Sequence, residues 1–175
     1  MKLRSHQLDS LVAMQKCDKG QIIVPTGGGK TMCMIEDAKY RFDMNSVSKT
    51  IVVVAPRILL ANQLSADFLE HITNVDVMHV HSGETHHFSS TKTEVIENWY
   101  HNSINNQLIF TTYHSLHRIT ESLDIEIDTI YFDEAHNSVQ KNFIEAVEYC
   151  SIYAQRKYFF TCLLYTSDAA DERHC

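Results

Sequence analysis

Apolar residues recur along this chain with two alternating periods. Leu8, Leu11 and Val12 share a helical face near the start, and Ser5 is suited to cap that helix. A short β-branched run at 21–24 reads as a strand, and 32–42 reads as a helix ending in a polar break at 45–48. Residues 50–55 form a continuous β-branched run, the mark of a strand covered on both faces, and Pro56 ends it. Over 57–70, Leu60, Leu64 and Phe68 return to helical spacing. The remaining pattern predicts strands at 75–80, 107–111, 129–132 and 157–161, and helices at 94–101, 112–121 and 142–149, with a turn at Ser82 and Gly83. Strands alternating with helices at this spacing predict an α/β fold, a mainly parallel sheet with helices on both faces. Ligands on such sheets bind beyond the carboxyl ends of the strands.

That edge is where the polar residues of interest fall. Pro25, Thr26, Gly27, Gly28, Gly29, Lys30 and Thr31 sit between a strand and a helix, the context a phosphate-binding loop requires. Successive glycines let several N–H groups converge on one anion, and the following helix adds its positive end. Lys30 would reach the β- and γ-phosphates of ATP, and the Thr31 hydroxyl would ligate Mg²⁺. The strict loop pattern wants glycine where Val24 stands, so only its second half is matched. An ordinary glycine-rich turn with a solvated lysine is the plainer alternative. About 100 residues further on, the strand at 129–132 delivers Asp133 and Glu134. ATP hydrolysis needs one carboxylate near Mg²⁺, the role Asp133 suits, and one near the attacking water, the role Glu134 suits as general base. The plainer alternative is a pair of acids stabilising a helix start.

Asp133-Glu134-Ala135-His136, the glycine loop and the opening Leu3-Arg4-Ser5-His6-Gln7 together resemble superfamily 2 helicases and translocases. Among these the chain is most similar to the group of type III restriction-enzyme motor subunits and related DEAH-type ATPases. Val54 to Leu60 resembles the family's motif Ia, and Ile109 to Tyr113 its motif Ic. The resemblance covers residues 3–161 and implies a RecA-like P-loop NTPase lobe. It further implies that Arg57, Thr111 and Thr112 contact the phosphate backbone of a nucleic acid, DNA more than RNA. His136 would couple nucleotide state to a partner lobe. Gln7 would read adenine, a role its paired donor and acceptor also suit, although spacing alone equally allows a simple capped helix.

Two departures from the family shape the expectation. After Thr161 the pattern is lost, and 162–172 look like translated vector or adapter read-through. The chain therefore divides into a helicase ATP-binding domain at 1–161 and a non-native tail at 162–175 on a truncated gene fragment, or else a genuine frayed tail. The family's second RecA-like lobe, with its arginines for the γ-phosphate, is absent, so the chain alone is expected to bind Mg·ATP weakly and turn over slowly. A lone nucleotide-binding interaction module is the alternative function. A third reading, another P-loop enzyme such as a kinase, leaves Ala55 to Arg57 and Thr111-Thr112 unexplained.

Composition narrows this only a little. A length of 175 residues suits one domain with a sound core, and no apolar run approaches a membrane span. Five cysteines without framework spacing and the lack of an apolar leader point to reduced thiols and a cytoplasmic location. A net charge of −7 argues against coating nucleic acid by bulk attraction, though not against a groove built from backbone amides and few basic residues. His79, His81, His86 and His87 read as a solvated loop more readily than as a metal site. Trp99 and Tyr100 read as packing a helix to the sheet rather than stacking a base. Cys17 and Cys33 read as structural thiols.

Overall fold

The computed structural model describes residues 3–25, 27–44, 47–122 and 124–162. Thr26, part of the 45–48 break and all of the expected tail beyond Cys162 lie outside the described residues. Six strands form one sheet: β1 (Lys19–Ile23), β2 (Thr50–Ala55), β3 (Val75–Val80), β4 (Asn106–Thr112), β5 (Thr129–Phe132) and β6 (Arg156–Thr161). Their order across the sheet is β1-β6-β5-β2-β4-β3, and every pairing is parallel. Parallel pairing needs crossovers, and six helices provide covering layers: α1 (Ser5–Lys16), α2 (Lys30–Asp43), α3 (Ile58–His71), α4 (Thr93–Asn102), α5 (Leu116–Thr120) and α6 (Ile144–Tyr153).

The period-2 alternation of the strands sorts the core into two layers. Ile51 and Val53 of β2 and Tyr131 of β5 pack with Met14, Met34, Ala38 and Phe68 of α1, α2 and α3. Val52 and Val54 of β2 and Ile130 and Phe132 of β5 face the other way, onto Ile96, Leu116 and Val147 of α4, α5 and α6. All six residues of β2 are buried, as its continuous apolar run requires. No helix among the described residues is long and apolar enough to cross a membrane.

Three local expectations are corrected. The buried stripe of α1 is Gln7, Leu11 and Met14, while Leu8 and Val12 are half exposed. Ser5 does not cap α1: Arg4 is the cap residue, and the Gln7 side chain reaches back to accept its N–H at 2.8 Å. The helix expected from 112 starts only at Leu116, because Thr112 stays in β4 and the Tyr113 N–H donates to Ala55 O at 3.2 Å.

Candidate nucleotide-binding site

The glycine loop is shaped by different demands at each glycine. Gly27 and Gly29 have φ of +74° and +84°, the left-handed region in which a side chain is strained. Gly28 closes a tight turn, its N–H donating to Pro25 O at 2.7 Å, and a Cβ there would meet Val24 Cγ1 at 2.5 Å. The loop carbonyls are gathered by the first turn of α1. Arg4 Nη1 donates to Gly27 O at 3.3 Å, and His6 Nε2 lies 2.8 Å from Gly28 O and donates to it. Gln7 Nε2 donates to Gly28 O at 3.4 Å and Gly29 O at 3.3 Å. In a planar trans peptide the N–H points opposite to the carbonyl, so the N–H groups of Gly29 and Lys30 are aimed away from α1. Holding the carbonyls back in this way prepares the loop for an anion.

Gln7 itself is buried, with its oxygen on Arg4 N–H and its nitrogen on the loop. In this arrangement it braces the glycine loop rather than presenting a free amide. Arg4 and His6 join it with no signal in the sequence, since both look like ordinary polar residues at a helix start.

β5 runs into the second half of the site. Asp133 N–H donates to Val54 O at 2.8 Å, which carries sheet pairing one residue past β5. Glu134 follows in the left-handed region at φ +47°, and residues Ala135–Val139 form a single 3-10 turn. A carboxylate residue held with positive φ is strained for L stereochemistry, a condition that clusters at functional positions. One strand, β6, separates β1 from β5, about 9.6 Å across. Lys30 spans that gap: its Nζ lies 3.5 Å from Asp133 Oδ1 and is hydrogen-bonded to Glu134 Oε1. Glu134 Oε2 is 3.7 Å from His136 Nδ1, and its backbone oxygen accepts from Asn137 Nδ2 at 2.9 Å. Lys30, Asp133, Glu134 and His136 are thus one cluster. Thr31 sits beside it in the first turn of α2, and Pro25 leads into the loop.

The electrostatics reflect competition. Burial would lower the Lys30 pKa, but its bond to Glu134 and the charges of Asp133 and Glu134 raise it above the usual lysine value. Burial raises the Asp133 carboxyl, the Lys30 charge opposes this, and the Glu134 charge adds to it. A buried carboxylate held this way gains from a nearby cation. Among the described residues no group of three or more His, Cys, Asp and Glu could hold a metal ion. Mg²⁺ keeps several waters and takes one or two protein oxygens plus phosphate, and Asp133 and Thr31 are the residues that could hold it.

The other expected residues separate. Arg57 is exposed at the start of α3. Thr111 and Thr112 are buried with their hydroxyls bonded within the chain: Thr111 Oγ1 donates to Val80 O at 2.7 Å, and Thr112 Oγ1 accepts from Ser115 N–H at 3.3 Å. They tie off the end of β4. His79 and His81 are buried rather than in a solvated loop; His79 Nδ1 lies 3.0 Å from His81 Nε2, and His87 stacks on His79 at 5.1 Å. Trp99 packs against the α4–α6 layer, and Tyr100 Oη accepts from Glu126 N–H at 3.2 Å. Cys33 is buried, its thiol pushed up to about 11 by desolvation, which leaves it unreactive.

No curated protein is detectably similar to the chain in sequence. Solved structures are similar in fold. A nuclease-deletion mutant of the type ISP restriction-modification enzyme LlaGI, in complex with a DNA substrate mimic, matches with a TM-score of 0.75 at 20% identity, over 94% of this chain and 18% of its own. The ATP-dependent type ISP enzyme LlaBIII, bound to DNA, gives 0.74 at 19% identity, over 93% of this chain and 12% of its own. The Hef helicase domain of Pyrococcus furiosus gives 0.70 at 17% identity, over 95% and 34%. This chain therefore spans well under two thirds of each of those proteins and shares with them the fold of a RecA-like lobe. Residues 1–161 match the family described as type III restriction enzyme, res subunit, and the chain belongs to that family.

Proposed function

We propose that this chain is the ATP-binding lobe of a DEAH-type, nucleic-acid-dependent ATPase, a helicase or double-strand translocase acting on DNA. One observation carries the reading: the loop lysine, Lys30, reaches across β6 to the carboxylates of Asp133 and Glu134. Cation and carboxylates meet where a triphosphate and its magnesium would lie. On nucleotide binding Lys30 exchanges Glu134 for the β- and γ-phosphate oxygens. The Gly29 and Lys30 N–H groups, with the start of α2, hold the phosphate anion. Glu134, released, accepts a proton from the attacking water, and its strained backbone fixes where that carboxylate points. Thr31 and Asp133 would hold Mg²⁺, which would supply charge neutralisation. His136, against Glu134, relays that change outward in this reading, and exposed Arg57 meets the nucleic-acid backbone.

Catalysis at full rate then depends on a second lobe that supplies arginines to the γ-phosphate, a contribution of roughly 10³-fold or more. The test is a titration of the chain with a fluorescent Mg·ATP analogue beside a steady-state hydrolysis assay with and without duplex DNA. Expected is weak saturable binding, lost in Lys30→Ala, with slow turnover. Binding that Lys30→Ala leaves intact sinks this reading. Binding without any turnover, even in a two-lobed protein, makes the lobe an interaction module instead.

A further inference from the structure

A second polar contact joins the same two elements, hidden beneath the site. Asp37 lies seven residues after Lys30 on α2, so two helical turns place both on one face, about 10.5 Å apart along the axis. Tyr131 lies two residues before Asp133 on β5, hence on the same face of the sheet. The Tyr131 hydroxyl donates to Asp37 Oδ2 at 2.7 Å. Lys30–Asp133 and Asp37–Tyr131 are therefore two rungs between α2 and β5, one at the site and one in the core. Arg41, one turn further on, pairs with Asp37 Oδ1 at 3.2 Å and donates to Met14 O at 2.7 Å. Asp37 and Tyr131 are 0% exposed and Arg41 2%.

Stability alone does not call for such a group. Replacing a buried ion pair by apolar residues of similar volume is often neutral or stabilising. Apolar packing of α2 on the sheet also resists sliding less sharply than a short directional bond does. A displacement of about 1 Å at a reacting group is enough to lose a large part of its effect. Burial raises the Asp37 carboxyl, and Arg41 and the Tyr131 hydroxyl oppose that without cancelling it.

We propose that Asp37 and Tyr131 are positioning residues: their bond sets the height of α2 against β5, and so the height of Lys30 against Asp133 and Glu134. This deepens the nucleotide-binding reading and rests on it. Neither residue touches nucleotide. Tyr158 is the internal control: its one hydroxyl proton is shared between Met14 O and Cys17 O, both at 2.6 Å at the end of α1, and its oxygen accepts from Arg41 Nη2 at 3.1 Å, so it holds α1 directly and reaches α2 only through Arg41.

The experiment measures affinity for ATP with and without Mg²⁺, and the thermal midpoint, for wild type, Tyr131→Phe, Tyr158→Phe and Asp37→Asn. Misplacing Lys30 relative to the Asp133 carboxylate weakens the magnesium complex most, so Tyr131→Phe is expected to lower Mg·ATP affinity about tenfold and to shrink the ratio of the two affinities. Tyr158→Phe lowers the midpoint but keeps that ratio, and Asp37→Asn, which keeps an oxygen for Tyr131, keeps it too. A merely structural role lowers midpoints without moving the ratio. An unchanged ratio in Tyr131→Phe, or an equal fall in Tyr158→Phe, overturns the proposal, as does a collapsed ratio in Asp37→Asn. Wild type that binds nucleotide beside a neutral Tyr131→Phe removes only this inference. Wild type that binds none removes the function and the inference together.

Discussion

The Gln7 side-chain amide occupies the space that a Cβ on Gly29 would need. Glycine at 29 thus serves twice, once for its left-handed backbone and once to admit the brace from α1. Gly29→Ala is expected to carry both a backbone strain of about 1–2 kcal/mol and the overlap with Gln7. It should lower the thermal midpoint and weaken Mg·ATP binding more than about tenfold. Gly27→Ala has the same strain with nothing within 4 Å of the new Cβ, and its loss should be the smaller of the two. Adding Gln7→Ala to Gly29→Ala removes the overlap and should recover part of the affinity. No recovery in the double variant would show that the overlap with Gln7 is not what costs affinity.

Lys30 is held by two carboxylates before nucleotide arrives, so binding has to break one of those contacts. Glu134→Gln replaces an ion pair by a neutral hydrogen bond, which lowers that barrier to release. Expected is equal or tighter Mg·ATP binding with hydrolysis abolished. Lys30→Ala does the reverse: it removes the phosphate ligand and leaves Asp133 buried without its cation, raising that carboxyl further. Isothermal titration of both variants separates the cases, and weaker binding in Glu134→Gln contradicts the exchange.

What could be read from the chain follows from where the signal is local. β2 and β5 fall where their apolar runs predict, because a strand buried on both faces leaves little freedom in sequence, and β3, a half-buried edge strand, falls at its expected place too. The loop and the acidic pair were legible because phosphate and metal chemistry restrict residue types at fixed spacing. Contacts between distant segments were not. Nothing in Arg4 or His6 announces a partner 23 or 22 residues on, and nothing in Thr111 reveals that its hydroxyl turns inward to Val80. The histidines misled for the same reason. Their polarity suggests a solvated loop, whereas pairing of residue 79 with Phe88 and Ser90 through backbone bonds folds the segment over them. Tyr131 and Tyr158 read as plain core aromatics, and only the fold brings their hydroxyls to Asp37 and Arg41.

The histidine pair imposes a pH dependence. Gly83 N–H donates to His81 Nδ1 at 3.2 Å, so the proton of neutral His81 lies on Nε2 and is donated to His79 Nδ1. That relay needs both rings neutral. Burial, with the neighbouring His81 and His87, lowers the His79 pKa from 6.5 to about 3, and burial lowers His81 as well. Between those values the unfolded chain binds a proton that the folded chain refuses. Stability is therefore flat above pH 6.5 and falls as pH drops toward 3, with a slope approaching about 1.4 kcal/mol per pH unit for one such proton. Urea unfolding of wild type and His79→Leu at several pH values checks this. The difference between them should shift in favour of the variant as pH falls, and parallel curves would exclude the histidine as the cause.

Arg57 and Thr111 lie at neighbouring strand ends yet should behave oppositely toward nucleic acid. Arg57 is exposed, so a phosphate contact there acts through counterion release and not through folding. Arg57→Ala should weaken binding to DNA of any sequence and reduce the slope of log affinity against log salt by about one. Thr111→Val removes a buried hydroxyl donor from Val80 O, which should cost about 1 kcal/mol of stability. Its salt slope should match wild type, because no phosphate oxygen reaches a hydroxyl turned into the core. Duplex-binding titrations across a salt series, beside thermal midpoints, measure both quantities on the same samples. A reduced slope in Thr111→Val would mean that the end of β4 opens when DNA arrives. Only then could the threonine face the backbone as the family resemblance implies.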